Sequence, residues 1–310
     1  MLYNGFGRCT VFGLIFLSLS TALSGQVSAE NAQSYRGEVG SFTNDFFGDG
    51  HDRWRSGSYQ RSYYSEGPKL KWAEGLELRA RSEIVTPWTP SNQPEGDVPY
   101  STSLAFAAFA HNSILGFDTR IGGEVLLMGD ASGMEMIQRT THDSLGMDES
   151  FDPSRGDFER VGNGVAFRFE AEVGRSFNIT AQSMLRPYTE VTLGADQAAS
   201  VGADLVIGPM VSADTWTRDV VTGRLLTPQV NEIQGLSFIA GWDVRSVNTS
   251  VHFPAHSAVE LEEIQYRSRV GFQNSTNFAN YFIGQAWLSP SFVGQVEPQR
   301  LGMLSISFTF

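Results

Sequence analysis

The last residues of the chain constrain it most. Leu304, Ile306, Phe308 and Phe310 alternate strictly with Ser305, Ser307 and Thr309. A period of two puts the apolar side chains on one face of a strand and the small polar ones on the other. Two environments suit such a strand. In a soluble sandwich the apolar face meets a core, and in a membrane barrel it meets lipid while the polar face lines the lumen. Ending the chain on Phe310 favours the barrel, because a terminal Phe resembles the signal that barrel-assembly machinery reads on outer-membrane proteins.

The opposite end agrees. Arg8 supplies a positive n-region, Thr10 to Leu23 an apolar stretch, and Val27-Ser28-Ala29 a small-residue cleavage site. Residues 1–29 therefore read as a signal peptide and 30–310 as one outer-membrane domain. The sole cysteine, Cys9, would leave with the signal peptide, so the mature chain would hold no disulfide in a compartment that permits them. No later segment approaches the ~20 apolar residues of a spanning helix. Charged residues make up 18% of the chain, with a net charge of −12. That excludes nucleic acid as a partner, which needs clustered Lys and Arg.

Strand-like segments recur near 37–47, 55–66, 70–85, 101–111, 114–128, 163–175, 177–193, 198–208, 233–246, 261–273, 279–289 and 300–310. Twelve strands form an even-numbered antiparallel barrel, the bacterial pattern, closed so that no edge faces lipid. Short turns are expected at 66–68, 111–112 and 174–175, facing the periplasm. Longer links over 48–54, 86–100, 129–162, 209–232 and 290–299 would face the exterior.

The longest of these links, 129–162, carries the clearest helix signal. Ser132 and Glu135 fit a capping box, and a helix begun there sets Gln138 and His142 one turn apart on one face. Asp143, Asp148 and Glu149 follow closely enough to surround one cation with oxygen ligands, as Ca²⁺ prefers. Scattered His and no Cys argue against zinc, and no serine-hydrolase elbow is present. Chemistry here would rest on a His general base activating water. Asn44-Asp45 closes the first strand. Arg53 and Arg55 flank Trp54 at the membrane surface, where guanidinium forks suit lipid phosphates.

The ordered set of Asn44-Asp45, Asp52-Arg53 with Ser56, and Gly129, Gly133, Gln138 and His142, ahead of an aromatic last strand, resembles the lipid A 3′-O-deacylases, the LpxR-type outer-membrane proteins. The resemblance implies an outer-membrane esterase of a Gram-negative bacterium, removing an acyloxyacyl group from lipid A of lipopolysaccharide with Ca²⁺ assistance. It implies that His142 is the base, with Asn44, Asp45, Ser56 and Gln138 around it, and that Asp45 and Asp148 serve the cation. Departures fall in loops. Gly146-Met147-Asp148 replaces a Gly-Trp stretch, Arg55 stands where an aromatic is common, and Asp130 stands where Pro follows the glycine. The competing expectations are a non-catalytic barrel, either a small pore or a structural protein, and an outer-membrane phospholipase.

Overall fold

The computed structural model describes residues 35–66, 73–88, 96–145, 159–213, 215–229, 233–254, 257 and 259–308. The proposed signal peptide, Asp148, Glu149 and Phe310 lie outside them. Twelve antiparallel strands form the wall: β1 (Tyr35–Asn44), β2 (Trp54–Glu66), β3 (Gly75–Thr86), β4 (Ser101–Ile114), β5 (Phe117–Met128), β6 (Gly164–Gly174), β7 (Ser183–Gly194), β8 (Gln197–Ile207), β9 (Gly235–Thr249), β10 (Ile264–Ser275), β11 (Ala279–Leu288) and β12 (Gln299–Phe308). Each strand pairs with its neighbours in sequence, and the first pairs with the last, from Glu38 opposite Phe308 to Asn44 opposite Gly302. The β6–β7 pairing completes the ring. Every wall strand is thereby flanked on both sides, as hydrocarbon requires.

Strand alternation sorts the residues as the sequence predicts. Leu304 is 42% exposed on the outer wall, whereas Ser307 is buried and donates to the Thr227 carbonyl at 2.8 Å inside the lumen. Phe106, Ile121, Phe167, Phe169, Ile283 and Trp287 join the outward apolar surface. Two boundaries differ from expectation. The β4–β5 turn falls at Leu115-Gly116, where both residues have positive φ, rather than at 111–112. The segment expected as one strand over 177–193 is interrupted. Residues Phe177–Thr180 form a short strand folded back on the start of β7.

The larger difference is the 209–232 link. Counting strands puts it at the end that holds the chain termini and the 115–116 and 276–278 turns, not at the end of the long loops. It folds into the lumen. Residues Thr217–Arg218 pair with Leu225–Leu226 as a small hairpin, whose tip is fixed by Asp219 accepting from the Thr222 amide and hydroxyl, with Gly223 at φ 70°. Its base packs Trp216 and Leu225 against Met184, Val206, Ile239, Phe282 and Met303. Its tip accepts hydrogen bonds from Arg267 at the Val220 and Val221 carbonyls.

Charged side chains fill the space around the hairpin. Arg218 is 1% exposed and pairs with Glu172 at 3.1 Å and Asp204 at 2.9 Å. Arg269 joins Asp204 at 2.7 Å, and Arg81 and Arg168 share Glu124 at 2.8 and 2.6 Å. The lumen is thus a packed interior, and the pore reading loses its physical basis. Replacing Arg218 with Met should take one counter-charge from Glu172 and Asp204, which keep Arg186 and Arg269, and lower stability by roughly 1.5–3 kcal/mol. The denaturant midpoint of the refolded protein measures this.

Candidate active site

The 129–163 link leaves β5 through a 3₁₀ turn, Gly129–Ser132, and enters α1, Met134–Leu145. The capping box forms only in part. Gly133, at φ 72°, stands between the two turns, so Ser132 Oγ accepts from the Met134 amide at 3.2 Å and donates to Thr102 at 3.0 Å. Glu135 turns instead to Arg139 at 3.0 Å and Arg160 at 3.2 Å. The Arg160 guanidinium in turn lies over the Tyr100 ring.

Strand register fixes the side of the wall that the helix covers. In β4, Ser103, Ala105, Ala107 and Phe109 are buried inward, and Leu104 and Phe106 face out. Thr102 shares the outward parity and is nevertheless 1% exposed, because the 3₁₀ turn and Ser132 cover it. Tyr100, just before the strand, is covered likewise and packs against outward-facing Ile84. Helix α1 therefore lies on the lipid-facing side of β3 and β4, at the rim of the long-loop end.

Gln138 and His142 both point to that wall. Gln138 is buried, and its Oε1 accepts from the Tyr100 hydroxyl at 2.9 Å. His142 Nε2 lies 3.3 Å from Asp52 Oδ2, and both side chains keep an accessible edge. The Asp52 carbonyl accepts from Thr86 Oγ1 at 3.4 Å, Thr86 bonds Ser56 Oγ, and the Ser56 carbonyl accepts from Asn44 Nδ2 at 2.6 Å. A continuous polar chain thus links the helix to the tops of β1, β2 and β3. Ser56 enters that chain because β2 bulges between Arg55 and Gly57, which adds a residue and re-aims the strand.

Asp45 sits beneath this chain. It is fully buried, its Oδ1 accepting from the Phe46 amide at 2.9 Å and its Oδ2 from the Arg53 amide at 2.6 Å. Its carbonyl accepts from the Gly48 and Asp49 amides. Asp45 therefore folds the 45–53 loop that presents Asp52. Burial first, then the negative Asp52 and Asp49, pushes its carboxyl well above the ordinary carboxylate value, against the pull of the two amides.

Arg53 and Arg55 are engaged within the protein. Arg53 is 3% exposed, stacked between Trp54 at 4.4 Å and Trp88 at 4.3 Å, and joined to Glu297 at 2.7 Å. It ties three loops together, and the stack holds Trp54 at φ 54°, a backbone costly for a large L-residue. Arg55 pairs with Glu83, whose strand parity is inward. Burial and these partners leave neither guanidinium open to a phosphate at the outer cleft. Arg139, paired with Glu135 at 3.0 Å on the helix, keeps a half-exposed guanidinium.

Asp52 and Tyr100 are the residues that sequence reasoning missed. Asp52 stands in the Asp52-Arg53 motif, where the sequence alone assigns it no role, and the period-four Gln138/His142 face is the signal that it meets a partner. Nothing local marks Tyr100. The inward Arg186 and Tyr188 belong to the ion network, on Glu172 and Asp243.

Among the described residues, no group of three or more His, Cys, Asp or Glu is assembled to hold a metal ion.

Tyr100→Phe should leave the buried Gln138 oxygen unpaired, at a cost of about 1–3 kcal/mol, and speed amide exchange along Met134–Leu145. The raised Asp45 carboxyl makes the folded state bind the proton more tightly than the unfolded chain. Stability should therefore fall as pH climbs from the ordinary value of 3.8 through the raised one. Denaturant midpoints against pH should slope less steeply in Asp45→Asn.

The sequence model of the family described as "Outer membrane protein LpxR" matches residues 14–310. Among solved structures, LpxR from Salmonella typhimurium is similar with a TM-score of 0.71 and 17% identity, over 88% of this chain and 100% of that one. The KdgM porin follows at a TM-score of 0.40 and 6% identity, over 88% and 99%. The β domain of the Bordetella autotransporter BrkA gives 0.44 and 10%, over 89% and 100%. A search of curated proteins found no match.

Proposed function

Because the chain belongs to the LpxR family of outer-membrane proteins, we propose that this lipid A deacylase-type barrel hydrolyses the ester of a 3′-acyloxyacyl group with water activated by His142. The observation that carries the reading is the side of the wall on which the polar chain opens. It lies between α1 and the lipid-facing surface of β3 and β4, above outward Leu104 and Phe106. An acyl chain can lie along that apolar surface while its ester meets the polar groups at the rim. A pore would instead need an open lumen, which the hairpin and its ion pairs occupy.

The roles follow from these contacts. Asp52 Oδ2 stands 3.3 Å from His142 Nε2, and a proton held on that nitrogen toward the carboxylate would leave the Nδ1 lone pair to take a proton from water. Tyr100 engages the Gln138 oxygen and so turns the amide N–H donors toward the cleft, where charge develops on the ester oxygen. Ser56 and Asn44 brace the β1–β2 rim that carries Asp52. Ser56 is buried and bonded to Thr86, a poor setting for a phospholipase nucleophile. Arg139 is the proposed contact for a lipid A phosphate.

Calcium is the assisting cation that the family resemblance implies. Asp45 does not fit as its ligand, being fully buried with both oxygens taken by backbone amides. Asp52 is the carboxylate with an accessible edge at the cleft. No group of acidic residues is assembled to hold a metal among the described residues, and Asp148, the other ligand that the resemblance implies, lies outside them.

Mass spectrometry of lipid A from expressing cells tests the proposal. Wild type should remove the acyloxyacyl mass, and His142→Ala should cut the rate by about 10²–10⁴ with the barrel still folded. Asp52→Asn should lower kcat more than it raises KM. A chelator that abolishes the wild-type product would establish the cation requirement. Wild-type-like deacylation by His142→Ala would sink the mechanism, and an unchanged profile in folded wild type would sink the activity.

A further inference from the structure

The lumen pairs its arginines with carboxylates almost throughout; among the described residues Arg224 on the hairpin lacks an ion pair, and so does Arg245 at the long-loop mouth. A cavity of about 20 Å³ opens there, lined by Arg55, Arg245, Arg267, Gln265, Gln299 and Val221 of the hairpin tip. That is room for one particle the size of a water or a chloride ion. Arg55 has Glu83, and Arg267 has Asp243 at 2.8 Å. Arg245, inward-facing on β9, has no ion pair or hydrogen bond among the described residues, and its Nε is buried. Arg267 Nη2 is also buried without a partner.

Arg245 thus lies beside two paired guanidiniums with no carboxylate in ion-pair contact, Glu190 and Asp243 acting on it only from beyond that distance. Arginine cannot shed its proton to relieve this, and a buried charge without a counter-charge is costly. The wall amides offer no substitute. Gln299 donates to the Arg53 carbonyl at 2.7 Å and accepts from the Arg55 amide at 3.2 Å, while Gln265 donates to the Glu262 carbonyl at 3.1 Å. We propose that this cavity binds one chloride-sized monoanion, held by Arg245 and the free edge of Arg267. The site stands independently of the esterase reading. Loading it would also stiffen Gln299, which grips the backbone on both sides of Trp54.

The test uses the full chain refolded in detergent, at constant ionic strength, with chloride exchanged for gluconate. Thermal unfolding of wild type should shift upward with chloride, the midpoint rising by a constant increment per tenfold increase once the site is filled. Arg245→Gln should unfold at one temperature in both salts. Equal midpoints for wild type in both salts, or an undiminished chloride shift in the variant, would overturn the proposal. So would protection by phosphate but not by chloride, which would mean a larger oxyanion. If Arg245→Gln does not fold, chloride-35 NMR of wild type decides: excess line broadening that bromide removes and gluconate does not is the expected result, and its absence refutes the site.

Discussion

Hydrocarbon cannot hydrogen-bond to a peptide group, and that constraint governs this molecule. It forces the first strand onto the last, so that Glu38 to Asn44 meet Phe308 to Gly302. Closure then divides every strand into a lipid face and a lumen face. What remains polar has two places to go, the lumen or the rims. The lumen takes the arginines and carboxylates, which cancel one another around an inserted hairpin. The rim takes the groups that stay available for chemistry.

That division explains how the site is built. Helix α1 has few apolar residues with which to grip the wall, and it grips through Gln138 and His142 instead. Each meets a partner that the barrel presents at its outer edge, Tyr100 before β4 and Asp52 before β2. Asp52 is held in turn by a loop folded on the Asp45 carboxylate and locked by the stacked Arg53. Polar contacts at a lipid boundary are strong because competing water is scarce, and they are directional, as a reacting group requires.

Much of this was legible in the chain. Period-two alternation at Leu304 to Phe308 and the even strand count gave the barrel, and the spacing of Gln138 and His142 gave the helix face. The turn after β4 was misplaced because His111 and Asn112 look like turn residues, whereas the positive φ falls on Leu115 and Gly116. The 209–232 link was assigned to the exterior on length alone. Its destination depends on Arg218 finding Glu172 and Asp204, contacts that no local pattern encodes. Arg53 and Arg55 looked like phosphate ligands because their charge is visible in a sequence, but their tryptophan stack and inward turn are not.

The lumen hairpin has a mechanical consequence. It is bonded to Ser41 and Gln60 on β1 and β2, Glu172 on β6, Arg267 and Arg269 on β10, and Ser307 on β12. Those contacts radiate to opposite sides of the ring like the spokes of a wheel. An unfilled cylinder can flatten under lateral pressure from the surrounding leaflet, and a spoked one keeps its round cross-section. The gap between α1 and the outer wall is therefore set by the protein, and it stays the same width as the packing of the bilayer around it changes.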